Sequence, residues 1–412
     1  MQPTDEPSRP TRRSLLRAGA AAAATGLTTG ASGCLSGLPP LGSKRSYGRV
    51  DVPDVGPPDY RGWLPAGWDR ETDEDWVISY AEPGPFDGPV PEEFVARRGL
   101  FKSELDHFGI GYENYDRLVK TNLATVIEAA FAADEVASTL ADTGYEPDGS
   151  YRGYDLYARP DVPRRVAVRD GVIVWTNQNR HTAPDLEATI DAGGGDADRY
   201  HEVDDAFAAV TEAVGASRFL FVGGSHPGLE PALSELGADA FRIEDAAAYH
   251  LLMEWYPEGD EPSEERIKRE LRNQRHELTS EAETVDIEID GRLATVESRI
   301  PLAPNRSREA MTDPPQVTWG GSFDADTGAL TIRHEAGEPV DADWLWYDLE
   351  PADGPNEVEK EPLWPDRNSV GPGDEATVDL SDRPDAAAVN VVYGDDGVGF
   401  RMLFTYPLED GE

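Results

Sequence analysis

Between Tyr60 and Pro301 the chain alternates two patterns. Short apolar runs predict strands, and stretches with apolar residues three and four apart predict helices. Trp76–Glu82 (WVISYAE) and Thr125–Phe131 (TVIEAAF) read as strands. After the second, Asp134 stands as a helix N-cap, with Val136 and Leu140 on one face and Gly144 as the stop. Tyr154–Ala158 is another strand. In Arg165–Thr176 (RVAVRDGVIVWT) two β-branched runs flank Asp170-Gly171, a pair that accepts the positive φ angles of a tight turn, so a hairpin is predicted. Helices follow at Asp185–Ala192 and Asp204–Val214, the latter with Phe207, Val210 and Val214 at helical spacing. Arg218–Gly224 is a strand, and Leu229–Leu236 a short helix closed by Gly237. Ala248–Tyr256 is a strand, Ser263–Glu283 a polar helix, and Val285–Ile300 a second hairpin turning at Asp290-Gly291.

A strand, a helix, a strand and a hairpin thus recur in order, from Thr125 to Thr176 and from Ala248 to Ile300, without matching residue identities. The fold class expected is α+β: antiparallel sheets covered by helices, in two similar halves, followed by a C-terminal Ig-like β-sandwich. The sandwich is expected because helical spacing stops after Gln316; VTWGGSF, ALTIRHEA, WLWYDLE, EATVDL, AAVNVVYG and FRMLFTY are strands between Asp, Gly and Pro turns. The expected organisation is a leader over 1–34, a flexible tether over 35–58, an α+β domain over 59–301, a linker over 302–315 and the sandwich over 316–412.

The leader carries the most specific chemistry. Arg12 and Arg13 precede a weakly apolar run, Ala18–Gly33, that is too short and too rich in Ala and Gly to span a bilayer. Thr11-Arg12-Arg13 with Leu15 and Arg17 resembles a twin-arginine export signal. Ala31-Ser32-Gly33-Cys34 resembles a lipobox, and Cys34 is the single cysteine of 412 residues. The resemblance implies cleavage before Cys34 and lipidation of its thiol, the nucleophile that forms a thioether. Two acyl chains suffice for stable attachment, so a membrane is the expected partner. With one cysteine, no intrachain disulfide is available to stabilise an exported fold.

Charge narrows the setting. The net charge is −43; residues 1–34 contribute +2, which leaves −45 on the rest. Such self-repulsion opposes a compact state unless salt screens it, and at molar salt the Debye length is about 3 Å. An extreme halophile is the simplest host. Nine Trp, fifteen Tyr and twelve Phe argue against disorder, and so acidic a surface disfavours nucleic acid as a partner. LTIRHEAGEPVDADWLWYDLE, VGPGDEATVDL and AAVNVVYGDDG resemble the sandwich of haloarchaeal type IV pilin-like surface proteins, and the whole chain is similar to haloarchaeal lipoproteins. These resemblances imply an extracellular location and contacts with other cell-surface proteins, without implying a reaction.

No catalytic constellation stands out, and no cofactor or metal is expected. Gly223–Gly228 follows a strand, but its glycine spacing departs from a nucleophile elbow. His250 and Glu254 share a strand face with His226 in reach of the same sheet, fewer groups than a metal centre with its supporting shell requires. Asp324, Asp326 and Gly328 suit a hairpin turn better than a calcium loop, which needs later ligands. Arg266, Lys268, Arg269, Arg272 and Arg275 are interleaved with Glu264, Glu265, Glu270 and Glu277 at pairing distances. Asn305-Arg306-Ser307 is a glycosylation sequon. Trp344 and Trp346 flank Leu345, which puts both rings on one side of a strand. That side is either core or, if exposed, a platform on which a sugar stacks. Two readings of function stand: a lipid-anchored, non-enzymatic surface module that contacts other proteins, or a lipoprotein that binds a small ligand or glycan for transport or sensing.

The anchor is directly testable. Cys34→Ser is expected to move the protein from the membrane fraction to the medium or to stall its processing, read by immunoblot of fractionated cells; retention with normal cleavage excludes Cys34 as the anchor.

Overall fold

The computed structural model describes residues 46–67, 77–85, 90–178, 180–224, 234–244, 247–273, 282, 284–300, 314–351, 360–383, 386–395 and 399–408. The chain divides into two units, Met1–Lys44 and Arg45–Glu412. The first, which contains Arg12, Arg13 and Cys34, lies outside the described residues, as does Asn305.

The larger sheet takes thirteen strands from residues 46–300. In chain order these residues form β1 (Ser46–Tyr47), β2 (Val77–Ala81), helix α1 (Glu92–Glu104), β3 (Tyr115–Lys120), β4 (Thr125–Ala129), α2 (Ala133–Ala141), β5 (Glu146–Tyr151), β6 (Tyr154–Ala158), β7 (Arg164–Arg169) and β8 (Val172–Asn177). Helices α3 (Leu186–Gly194) and α4 (Asp205–Val214) lead to β9 (Phe219–Gly223), β10 (Leu236–Glu244), β11 (Ala247–Trp255), α5 (Glu264–Asn273), β12 (Thr284–Asp290) and β13 (Leu293–Ile300). Across the sheet the order is β1-β12-β13-β11-β10-β9-β2-β3-β4-β8-β7-β6-β5, antiparallel except for β1 on β12.

This order contains one five-strand arrangement twice, β2-β3-β4-β8-β7 and β9-β10-β11-β13-β12. In each copy a helix leads into a hairpin whose second strand returns beside the strand before the helix: β8 beside β4, and β13 beside β11. The copies meet where β2 pairs antiparallel with β9, Ser79 opposite Phe221.

Both faces of the sheet are covered, so its central strands are apolar without alternation; all six residues of β8 are buried. On one face Leu186, Ile190, Phe207 and Val210 of α3 and α4 pack on Val126, Val174, Leu220 and Leu251. On the other, Phe94 and Phe101 of α1 with Val136 and Leu140 of α2 pack on Leu118, Ile127, Val166 and Trp175. Ile267 and Leu271 of α5 pack on Leu252, Val285 and Val296.

The expected elements that fall among the described residues are present with four corrections; of the helix expected over Ser263–Glu283, Glu264–Asn273 is helical and 274–281 lie outside the described residues. Asp134 does not cap α2; the Ala133 amide at its start donates 2.8 Å to Oδ1 of Asp170, in the hairpin turn where Gly171 takes φ 75°. Leu236 and Gly237 open strand β10 rather than close a helix; residues 225–233 lie outside the described residues. Helix α1 and strands β3 and β5 carry no strong sequence periodicity and were not expected. The segment read as tether is packed from Ser46 onward: β1 joins the sheet, Val50 is 7% exposed, and Arg242 donates to the Pro53 carbonyl at 2.7 Å.

Residues 314–408 form antiparallel sheets around a single core. β14 (Val317–Asp324), β15 (Ala329–Gly337) and β20 (Glu375–Asp379) make one, and β17 (Leu345–Pro351), β18 (Glu361–Pro362), β21 (Ala386–Asp395) and β22 (Gly399–Pro407) the other. β16 (Val340–Asp341) and β19 (Ser369–Val370) form a short ladder. Trp319, Leu330, Ile332 and Val378 of the first pack against Leu345, Val389, Val391 and Phe404 of the second.

The two sheet systems are locked together by buried charge. The Arg159 side chain, at the end of β6, is 0% exposed; it donates to both oxygens of Asp161, at 2.8 and 2.7 Å, and to Glu335 of β15 at 2.8 Å. Burial opposes the arginine's charge, but the hydrogen bonds and charges of Asp161 and Glu335 outweigh it and raise its pKa. Nearby, Arg164 pairs with Asp106 at 2.6 Å, and Asp106 accepts from the Tyr145 hydroxyl at 2.7 Å. Gln316 donates to the Asp106 carbonyl, and Thr318 exchanges hydrogen bonds with the backbone of His107. Gly320 makes room: a Cβ there would lie 2.0 Å from the Glu335 carboxylate.

Removing one member of a buried ion pair strands the other, a cost of about 3–5 kcal/mol. Arg159→Ala, which leaves Asp161 and Glu335 without their shared cation, is therefore expected to lower unfolding free energy by about 3–5 kcal/mol, measured by denaturant titration at constant molar salt; a loss under about 1 kcal/mol means the seam is held by packing alone.

Candidate functional site

Trp344 and Trp346 do not form the shared platform that alternation predicts. Trp344 lies in a single 3-10 turn, Ala342–Trp344, ahead of β17, and its ring leans on Tyr393 at 5.9 Å. Tyr393 pairs across the strands with the core residue Leu345. Trp346 lies on the opposite face, paired with Val392. The two rings therefore have different neighbours on different sides of the sheet.

On that outer face Trp346 forms a corner with Phe400. The ring centroids are 6.4 Å apart and the planes stand at 86°. The register places Phe400 opposite Gly394, two residues from Val392, which puts it on the same face. Both rings are half-buried, and the Trp346 indole N–H is turned inward with no acceptor among the described residues. Lys360, just before β18, places its ammonium 4.1 Å from the Phe400 centroid. Its neighbour Glu361 is engaged on the other face, where it accepts from Tyr347 at 2.8 Å; burial and that carboxylate push the Tyr347 pKa up to about 12. Beyond Trp346 along the same face, Asp348 accepts from Asn390 at 2.9 Å, and Asn390 accepts from Thr405 at 2.8 Å. Phe400 and Lys360 were missed in the sequence because only strand register brings them to Trp346.

The other sequence candidates resolve into structural roles. His250 is 0% exposed on a central strand; its Nε2 lies 2.8 Å from Asp239, whose other oxygen is 3.0 Å from Arg97 of α1. Arg97 in turn lies over Phe219, Phe221 and Phe241. Glu254 is bonded to Ser234, and His226 lies outside the described residues. Among the described residues no group of three or more His, Cys, Asp or Glu could hold a metal ion. Asp324–Gly328 is the β14–β15 turn, closed by Gly328 at φ 69° and by Asp324 accepting from the Asp326 amide. On α5, Arg266 pairs with Glu270 and Asp260, and Lys268 with Glu264. Of the elbow-like loop, residues 225–228 lie outside the described residues. No described helix is long and apolar enough to cross a membrane.

No protein-family model and no curated protein matches the chain. Among solved structures the chain is similar to TP0453 in three crystal forms. Form III shares 11% identity at TM-score 0.38, over 60% of this chain and 95% of that one. Form I shares 12% at 0.38, and form IV 10% at 0.35, each over 60% of this chain and 94% of that one. A likeness this distant is silent on function and on location.

Four histidines are held neutral. Burial, then the Lys120 charge, pushes His181 down to about 3; its Nδ1 lies 2.9 Å from the Asn177 amide nitrogen and 3.0 Å from the Asn177 carbonyl oxygen, and its Nε2 lies 3.1 Å from the Thr125 hydroxyl. Burial also lowers His107, His334 and His201. His107 and His334 lie at the seam between the sheet systems, and the charge of His334 lowers His107 further. Because the folded pKa values lie below the unfolded value of about 6.5, the unfolded chain takes up protons first as pH falls. The contribution of His181 is expected to be complete above pH 6.5 and to decline from there toward pH 3, by up to about 1.4 kcal/mol per pH unit, with His107, His334 and His201 adding to the decline below pH 6.5. Melting scans at fixed molar salt test this, and His181→Gln should flatten the decline.

Proposed function

We propose that this chain is a lipid-anchored protein on the outer surface of an extreme halophile, and that it binds rather than catalyses. The lipobox-like Ala31–Cys34 and the twin-arginine-like Thr11–Arg17 support the location, and the charge of −43 supports the host. On this reading the C-terminal sheets are an Ig-like sandwich that presents the binding face. The observation that carries binding is the corner of Trp346, Phe400 and Lys360, half-buried aromatic rings beside a cation on an acidic protein. Contact with neighbouring surface proteins through residues 316–412 is the first form of this reading. The second is capture of a small ligand or glycan, favoured by the size of the corner, which suits one ring better than a protein face.

Crosslinking on intact cells at native salt, with mass spectrometry of the products, separates the two. Envelope proteins joined through residues 316–412 are expected for a protein-contact module; a chain that stays uncrosslinked while remaining at the membrane supports ligand capture. A protein recovered wholly from the cytoplasm overturns the reading.

A further inference from the structure

Four lysines are described, and three of them are in ion pairs: Lys102 with Glu338, Lys120 with Glu104, Lys268 with Glu264. Lys360 is the exception. Among the described residues it has no carboxylate partner and lies instead over the Phe400 ring, in a chain with more than twice as many acids as bases. Glu361, which could pair with it by sequence position, is held away by the Tyr347 hydroxyl on the opposite sheet face.

From these contacts we infer that Trp346, Phe400 and Lys360 form a binding site for an anionic sugar, a pyranose that bears a carboxylate. The inference rests on the ligand-capture form of the proposed function and names its ligand class. The argument is one of matched chemistry. Two rings at 86° offer one apolar face and one edge, and the C–H face of a pyranose is the flat, weakly polar surface that gains by leaving water against an aromatic ring. A neutral sugar would need nothing more. The ammonium at the rim, with no carboxylate partner among the described residues, adds an ion-paired hydrogen bond to a carboxylate that is stronger than the one a neutral hydroxyl accepts. A lysine with no carboxylate partner among the described residues of so acidic a chain favours an anionic ligand over the cations that the acidic surface attracts. Asp348, the nearest carboxylate along the face, is buried and occupied by Asn390, so its charge is turned from the rim.

The test is calorimetric titration of the full lipidated protein in detergent at molar salt. The ligands are a glucuronate-containing oligosaccharide and a neutral gluco-oligosaccharide of equal length. The acidic one is expected to bind about tenfold more tightly. Lys360→Gln should remove that preference and leave weak neutral binding. Trp346→Ala should abolish both, and Trp344→Ala should change neither; melting midpoints within about 2 °C of the parent would exclude misfolding as the cause. Equal affinity for both sugars overturns the anionic preference while leaving ligand capture standing. Binding of neither sugar overturns the site, and crosslinking then decides whether the surface-binding reading stands without it. Preference that survives Lys360→Gln places the anion elsewhere and overturns the assignment of this lysine.

Discussion

The architecture depends on one buried guanidinium. Arg159 leaves the end of β6, loses all contact with water, and binds Asp161 beside it and Glu335 from the other sheet system. Without Glu335 the arginine would keep Asp161 but lose its tie to the other sheet system, and without the arginine two acids would lie close with no cation between them. Around it, Arg164, Asp106, Tyr145 and Trp175 extend the network through hydrogen bonds. Residues 314–408 are thereby fixed to the first sheet.

That arrangement makes sense of the chain's preference for arginine over lysine. A planar guanidinium with five donors can serve two carboxylates, or a carboxylate and carbonyls, from one buried position. Arg242 reaches the carbonyls of Pro53 and Val214, and Arg218 those of Gly84 and Pro85, stapling loops to the sheet. With no disulfide to call upon, such staples and the two covered sheet faces hold an acidic chain together. Three of the four described lysines are spent in ion pairs, and Lys360 lies over the Phe400 ring with no carboxylate partner among the described residues.

Repetition within the larger sheet explains its width. Each five-strand half exposes an edge at its first strand, and the antiparallel β2–β9 pair joins those edges. The outer ends are then blunted, on one side by the two-residue β1 and on the other by β5, whose Pro147, Asp148 and irregular register resist further pairing.

Much of this was legible in the residues. Asp170-Gly171 and Asp290-Gly291 mark hairpins because few other pairs accept a tight turn, and Asp185 and Asp204 mark helix starts because their carboxylates bind the exposed amides of Ala188 and Phe207. These are local constraints, satisfied within a few residues, and so the sequence by itself determined them, together with the charge and the single cysteine. Strand β10 was hidden because its alanines and glycine carry little propensity, and it is a strand only because β9 and β11 flank it. Trp344 and Trp346 looked equivalent until a 3-10 turn put their rings on different neighbours. Arg159 with Glu335, and Trp346 with Phe400 and Lys360, are joined by register and sheet packing across 14 to 176 positions of the chain. Tertiary structure alone decided those pairings, because no residue's own chemistry states which distant partner the backbone will bring to it.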